Sequence, residues 1–239
     1  VIHEQNSVAG TTNRIVARIA RRVMQGFPDV LKHGEWCGNP VRPSIANMRS
    51  PDKRFADRTG AVKLLVLGGS RGALAINKIL PQALGLVDSS IRPQVMHQTG
   101  KLHCEQTQAL YQAAGVEAQV VPFINKMDEA YSWADFAICR AGALTVAELT
   151  CAGLGSILIP FPYAIDDHQT VNGELLVEQG SATMIQQKEL TATMLAEEIT
   201  TLCNSRKRLL DMAMRARELS KTGAASRVAK VCMEVGCEK

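Results

Sequence analysis

Between residues 62 and 185, short apolar runs alternate with longer segments of helical spacing, and this alternation constrains the chain more than any other feature. The run at 62–67 is almost continuously apolar (Val62, Leu64, Leu65, Val66, Leu67). A strand that keeps no polar side fits a sheet covered on both faces. Further strands are predicted at 94–98, 119–123, 136–139, 156–160 and 182–185, with helices at 72–86, 102–114, 127–134, 143–152 and 168–178 between them. Gly115, Gly153 and Gly180 follow predicted helix ends, where a left-handed cap favours glycine. The pattern predicts an α/β, Rossmann-like, doubly wound parallel sheet. Its right-handed crossovers gather the ligand-binding loops at the carboxyl edge of the strands.

Other segments flank this block. Residues 1–2 read as the end of a strand, followed by a polar loop at 4–12, a helix through residue 22, a short strand at 23–26 and an extended piece at 36–41. Residues 43–60 are polar, with Pro43, Pro51, Lys53, Arg54, Asp57 and Arg58, and read as a domain linker. Helices at 191–204, 206–219 and 224–235 finish the chain. The chain opens on Val1 with no initiator Met, so the natural N-terminus is expected to lie upstream.

Composition narrows the function classes. The net charge of +4 is mild, the basic residues are mostly interspersed with acids, and aromatics are only 4%, which argues against a nucleic-acid partner. Seven cysteines, an odd number with no C-x-x-C pair, suggest a reducing compartment rather than a disulfide scaffold. Cys139 and Cys151 lie in apolar runs and read as small core residues. His97, His103 and Cys104 do not have a zinc spacing, so no metal is expected. No apolar run is long enough for a membrane-spanning helix, and no signal peptide is seen.

Three segments carry the chemistry. Gly68-Gly69-Ser70-Arg71-Gly72 follows a buried strand and opens a helix, so its backbone N–H groups and the helix N-terminus can meet an anion, with the Ser70 hydroxyl as a further donor. It is neither a dinucleotide fingerprint nor a Walker loop, and a tight turn without ligand remains the alternative. Gly142-Ala143-Leu144-Thr145-Val146-Ala147-Glu148 repeats the arrangement. Thr145 and Glu148 share a helix face, where turn amides and a hydroxyl could hold a phosphate and a carboxylate could accept a ribose diol. Alternatively, Thr145 caps the helix and Glu148 favours its positive end. The third segment joins Pro160-Phe161-Pro162 to Asp166-Asp167-His168-Gln169-Thr170-Val171-Asn172. The Gln169 amide suits sugar hydroxyls, whereas His168 is a ligand contact or a capping residue. A polar cluster at residues 3–6 adds a weaker signal.

Together these segments resemble the MurG family, the transferases that move N-acetylglucosamine from UDP to an undecaprenyl-pyrophosphoryl-N-acetylmuramoyl-pentapeptide in peptidoglycan synthesis. The matching stretches are residues 3–6, Gly38-Asn39-Pro40-Val41-Arg42, Gly68-Gly69-Ser70-Arg71-Gly72, Ala130-Tyr131-Ser132-Trp133-Ala134-Asp135, 140–148 and 167–172, in family order. The resemblance implies a GT-B glycosyltransferase fold. Residues 1–42 would be the tail of an N-terminal acceptor domain, 43–221 the UDP-sugar donor domain, and 222–239 a terminal helix packing back toward the N-terminal domain. The family's glycine-rich loop with its proposed catalytic base would precede Val1, so no catalytic residue is assigned here.

By the same resemblance the backbone of Ile124 reads the uracil and Arg42 lies near the base. Ser70 contacts the diphosphate. Ala143, Leu144, Thr145, Val146 and Ala147 line the phosphates and sugar, Glu148 takes the ribose hydroxyls, and Gln169 and Asn6 contact N-acetylglucosamine. His168 stands where some members carry Gln, and Arg71 replaces the Gln of the usual Gly-Gly-Ser-Gln-Gly, so that it strengthens anion binding or points to solvent. No cofactor and no Asp-x-Asp metal motif is implied. The expected partners are UDP-N-acetylglucosamine, the lipid-linked muramoyl-pentapeptide acceptor and, by resemblance, the cytoplasmic face of the bacterial inner membrane. A non-catalytic UDP-sugar-binding subunit of a split transferase is the main alternative. A sugar-nucleotide epimerase is a further one, but it needs acid–base residues that are not found in the sequence.

Overall fold

The computed structural model describes residues 1–69 and 73–237, with Ile165 described by its backbone alone. Ser70, Arg71 and Gly72 therefore lie outside the described residues. The chain begins with β1 (Ile2–Glu4), α1 (Thr11–Val16), β2 (Val23–Gln25) and β3 (Glu35–Trp36), whose strands form a small parallel sheet in the order β1-β2-β3. Helix α1 stops well short of residue 22. It buries no residue, so no packing compensates the entropy of a longer helix.

The stretch expected to be a linker is instead packed structure. It holds α2 (Pro43–Ala46) and α3 (Pro51–Phe55), each opened by a proline at its first helical position. Ile45, Ala46, Met48 and Pro51 are buried. The charge of Arg54 is turned inward, onto the Ala152 carbonyl and, at 2.7 Å, the Gly153 carbonyl.

The remaining elements are β4 (Lys63–Leu67), α4 (Leu74–Leu86), β5 (Gln94–Gln98), α5 (Cys104–Ala113), β6 (Gln119–Val121), α6 (Met127–Trp133), β7 (Phe136–Cys139), α7 (Ala143–Ala152), β8 (Gly155–Leu158), α8 (His168–Glu178), β9 (Ala182–Met184), α9 (Ala192–Cys203), α10 (Arg206–Glu218) and α11 (Ala224–Cys237). Six strands form a parallel sheet in the order β6-β5-β4-β7-β8-β9. Side chains alternate across a strand, and here both faces are covered. Leu64, Val66, Phe136 and Ile138 pack with α4, α5, α9 and α10. Leu65, Leu67, Ala137 and Cys139 pack with α2, α6, α7 and α8. This two-sided burial is the reason the strands read as unbroken apolar runs.

From β4 the chain winds outward through β5 and β6, and then returns to β4's other side with β7. The order therefore reverses between β4 and β7, and open α/β sheets place their ligand crevice outside the carboxyl ends at such a point. At the far end of the chain, α11 lies on the small sheet. Val231 packs with Met24 and Cys37, Arg227 pairs with Glu35 through two contacts of 2.6 and 2.7 Å, and Lys221 sits 3.9 Å above the Trp36 ring. Among the described residues no helix is long and apolar enough to cross a membrane.

Candidate functional site

Leu67 and Cys139 are direct register partners at the carboxyl ends of β4 and β7. The two glycine turns that follow them are consequently neighbours. In the first, Gly68 is held by its N–H to the Gln98 carbonyl at 2.8 Å. A Cβ on Gly68 would come within 2.7 Å of that carbonyl, so the turn tolerates only glycine there. Gly69 follows with φ of +72°, a left-handed conformation that glycine adopts without cost.

The second turn opens α7. An α-helix leaves its first N–H groups without intrahelical partners, and no side chain caps this one. The first closing bond of the helix runs from Val146 N–H to Gly142 O at 2.9 Å, which leaves the amides of Ala143, Leu144 and Thr145 as the open set. They sit at the positive end of the helix, where an anion is favoured. Val146 does not belong with them. Its amide is used and its side chain is buried in the core. Ala147, past the first turn, faces the crevice between the two sheets with Gly26, Phe27 and Trp36.

One turn into α7, Glu148 faces the same cleft as Gly68, Gly69, Leu144, Thr145, Ile124, Gln169 and Arg42. Its Oε2 accepts from the Tyr131 hydroxyl at 2.9 Å, and its Oε1 lies 3.4 Å from Arg42 Nη2. Arg42, expected beside a base, lines the same cleft as Ile124 and pairs with this carboxylate. Burial first, and then the Glu148 charge, hold the Tyr131 phenol far above its usual pKa, so it remains a donor. A carboxylate has about four acceptor positions, and the two protein contacts leave room for a diol.

The Ile124 N–H, expected to face a base, donates to Gln98 Oε1 at 3.1 Å. Gln169 Oε1 accepts from the Phe161 N–H at 3.0 Å, so the donor half of its amide is what it can offer a ligand. The turn before α8 carries Asp166 and Asp167 at φ of 52° and 49°, a left-handed backbone that Asp tolerates better than most residues. Arg140 fastens the preceding loop: Nη1 donates to the Ile159 and Pro160 carbonyls, both at 3.0 Å, and its guanidinium lies 5.5 Å from the Phe161 ring centre.

Asn6 is not among the residues lining this cleft. It lies in the loop after β1, which is tied to α8 through Asn172. The Ser7 N–H and hydroxyl both donate to Asn172 Oδ1, at 2.8 and 2.7 Å, and Asn172 Nδ2 reaches Asn6 Oδ1 at 3.4 Å. Within the same loop Glu4 points inward, and its carboxylate organises the turn by accepting from the N–H of Asn6 and of Gly10.

Sequence reasoning missed Gln98 and gave Tyr131 no role. A polar residue at the carboxyl end of a strand was the sole local sign of Gln98, and it does not distinguish a cleft from solvent. Nothing local distinguishes Tyr131 from a core aromatic.

The chain matches the family model of the glycosyltransferase family 28 C-terminal domain over residues 63–228. The UDP-N-acetylglucosamine--N-acetylmuramyl-(pentapeptide) pyrophosphoryl-undecaprenol N-acetylglucosamine transferase of Dechloromonas aromatica is 52% identical over 236 residues, covering 98% of this chain and 66% of its own length. The transferase of the same name from Saccharophagus degradans is 53% identical over 235 residues, covering 98% of this chain and 60% of its own length. The chain thus spans less than two thirds of the length of these relatives. The crystal structure of Acinetobacter baumannii MurG is similar with a TM-score of 0.88 and 38% identity, over 98% of this chain and 66% of that one. The glycosyltransferase of kitacinnamycin, at a TM-score of 0.59 and 17% identity, shares the fold alone.

Proposed function

The chain belongs to glycosyltransferase family 28 and has the GT-B fold, and from that membership we propose that it supplies the donor site of an inverting transferase. The donor is UDP-N-acetylglucosamine. The acceptor is the 4-hydroxyl of the muramoyl group in an undecaprenyl-pyrophosphoryl-N-acetylmuramoyl-pentapeptide, as in the names of its relatives. The observation that carries this reading is the pairing of Leu67 with Cys139, which brings the Gly68-Gly69 turn beside the open amides of α7 with Glu148 one turn further in.

In this reading the diphosphate lies against the Ala143, Leu144 and Thr145 amides and the Thr145 hydroxyl. The ribose diol donates to Glu148, the uracil faces Ile124, and the sugar faces Gln169, with Asn6 expected to reach the sugar from the loop that Asn172 ties to α8. The acceptor oxygen gives its proton to a base and forms a bond to C1 of the sugar as the C1–oxygen bond to the diphosphate breaks. Negative charge grows on the departing UDP. Preorganised amides at a helix N-terminus stabilise such charge without rearranging at the moment of reaction. None of the residues assigned here is the base. The acceptor's lipid tail places the reaction at the cytoplasmic face of the inner membrane, with the protein peripheral to it.

Calorimetry with UDP-N-acetylglucosamine tests the assignment. The chain is expected to bind it weakly and to turn over little by itself, and Glu148→Ala is expected to abolish binding. Binding unaffected by that change would remove the donor-site assignment.

A further inference from the structure

We propose that Gln98 is a positioning residue for the nucleotide base: its carboxamide oxygen holds the Ile124 N–H and releases it to a pyrimidine carbonyl. The inference rests on the donor reading above. Gln98 is the last residue of β5, is buried, and lines the cleft. Two of its atoms make contacts that matter. The side-chain Oε1 accepts from the Ile124 N–H at 3.1 Å, and the main-chain carbonyl accepts from the Gly68 N–H at 2.8 Å. One residue therefore joins the phosphate turn to the segment that faces the base.

The chemistry of the exchange follows from the groups involved. Ile124 lies beyond the end of β6, so no sheet partner takes its amide, and a buried N–H left unpaired is costly. The Gln98 carboxamide oxygen fills that need. The 4-carbonyl of uracil is an amide-type oxygen and can replace it bond for bond. Cytosine presents an amino group at that position, so it would displace Gln98 and leave the N–H bare. The side chain is thus a stand-in for the base, and a nucleotide must displace it to bind.

A residue with a purely structural role would weaken binding when altered. A displaceable stand-in has the opposite effect. Gln98→Met keeps the length and the packing and removes the acceptor. It is expected to bind UDP about two- to tenfold more tightly than the unaltered chain, the range set by one competing hydrogen bond. In the ligand-free protein, hydrogen exchange at the Ile124 amide is expected to accelerate in Gln98→Met and to stay slow in Gln98→Glu, which retains the acceptor and also serves should the Met variant fold poorly. Gln98→Glu is expected to bind UDP more weakly, because its stronger acceptor is harder to displace. UDP binding by Gln98→Met that is unchanged or weaker, or Ile124 exchange that is unchanged, overturns the Gln98 proposal. Failure of the unaltered chain to bind any uridine nucleotide would instead remove the donor reading, while the exchange measurement would still report on the bond.

Discussion

Tyr131 presents its hydroxyl to Glu148 Oε2 at 2.9 Å from a side chain with no exposed surface. A buried phenol on α6 thus sets the orientation of a carboxylate on α7 that is still open to the cleft. Tyr131→Phe removes this bond without changing the packing. Hydrogen bonds to charged groups are worth ~1.5–3 kcal/mol, and part of that is transmitted to the ligand. UDP affinity in calorimetry is expected to fall about five- to thirtyfold. UDP carrying 2′-deoxyribose should lose less than UDP does, because its contact with Glu148 is already reduced. An equal loss for both nucleotides would mean that Tyr131 acts on something other than the ribose contact.

His97 is expected to stay neutral throughout the physiological range. Its Nε2 lies 3.1 Å from Asn77 Oδ1, and its Nδ1 lies 2.9 Å from the Tyr111 hydroxyl. Asn77 Nδ2 donates to the Thr99 carbonyl at 3.0 Å, which fixes the amide so that Oδ1 faces the ring. Nε2 must then carry the proton, and Nδ1 must accept from Tyr111. Burial pushes the pKa down to about 3. The folded value lies below the unfolded one, so at intermediate pH the unfolded chain binds a proton that the folded chain does not. The stabilisation is full above about pH 6.5 and is lost as pH falls toward the folded value, by at most ~1.4 kcal/mol per pH unit. The His97 ring resonances should not move between pH 8 and 5. Denaturant titrations should show His97→Gln losing less stability over that interval than the unaltered chain.

Arg54 and Arg217 close the far end of the helix that carries the site. Arg54 donates to the Ala152 and Gly153 carbonyls and Arg217 to the Cys151 carbonyl, where α7 has groups with no intrahelical partner. Arg54→Met keeps much of the aliphatic stem and leaves these buried carbonyls short of donors. It is expected to destabilise the chain by about 1–3 kcal/mol, read from the urea midpoint. The α7 amides are at the opposite end of the helix, so UDP affinity of the folded variant should change by less than about twofold. A large loss of affinity would show that the two ends of α7 are coupled.

The parts of this architecture that were legible were those set by local pattern. Leu64 and Leu65 point to opposite faces and are both apolar, so the sequence itself announces a sheet with two covered faces. Thr145 and Glu148 reach the same cleft because their separation along one helix is fixed. The pairing of Leu67 with Cys139 is of another kind, since it joins residues 72 positions apart (139 minus 67) through strand order, which local spacing does not encode. Arg54 misled because a charge normally signals solvent, and here its partners are main-chain carbonyls that have no signature in sequence. Helix α1 was overextended for the converse reason: a good helical run without a buried face has little to sustain it. Gln98 could not be placed, because a polar residue at a strand end reads the same whether it faces water or a neighbouring amide.

Glu4 should make the loop that bears Asn6 sensitive to acid. Its Oε1 accepts from the Asn6 N–H at 2.9 Å, and its Oε2 accepts from the Gly10 N–H at 3.1 Å and from Asn13 Nδ2 at 2.8 Å. Burial alone would raise the carboxyl pKa. The amide donors, those of Asn6, Asn13, Gly10 and Gln5, outweigh it and hold the group below the usual carboxylate range. A depressed folded value means that the contribution is present above the unfolded value, about 4.3, and disappears as pH falls through the folded one. Glu4→Gln turns one acceptor into a donor facing other donors, and should cost about 1–3 kcal/mol at pH 7. Between pH 5 and 3 the variant should lose less stability than the unaltered chain, because the titrating group is gone. The contact from Ser7 to Asn172 depends on the same loop, so hydrogen exchange at the Ser7 amide should accelerate in the variant. Slow exchange at Ser7 in Glu4→Gln would mean that α8 alone fixes the loop, and that Glu4 is not what holds Asn6 in place.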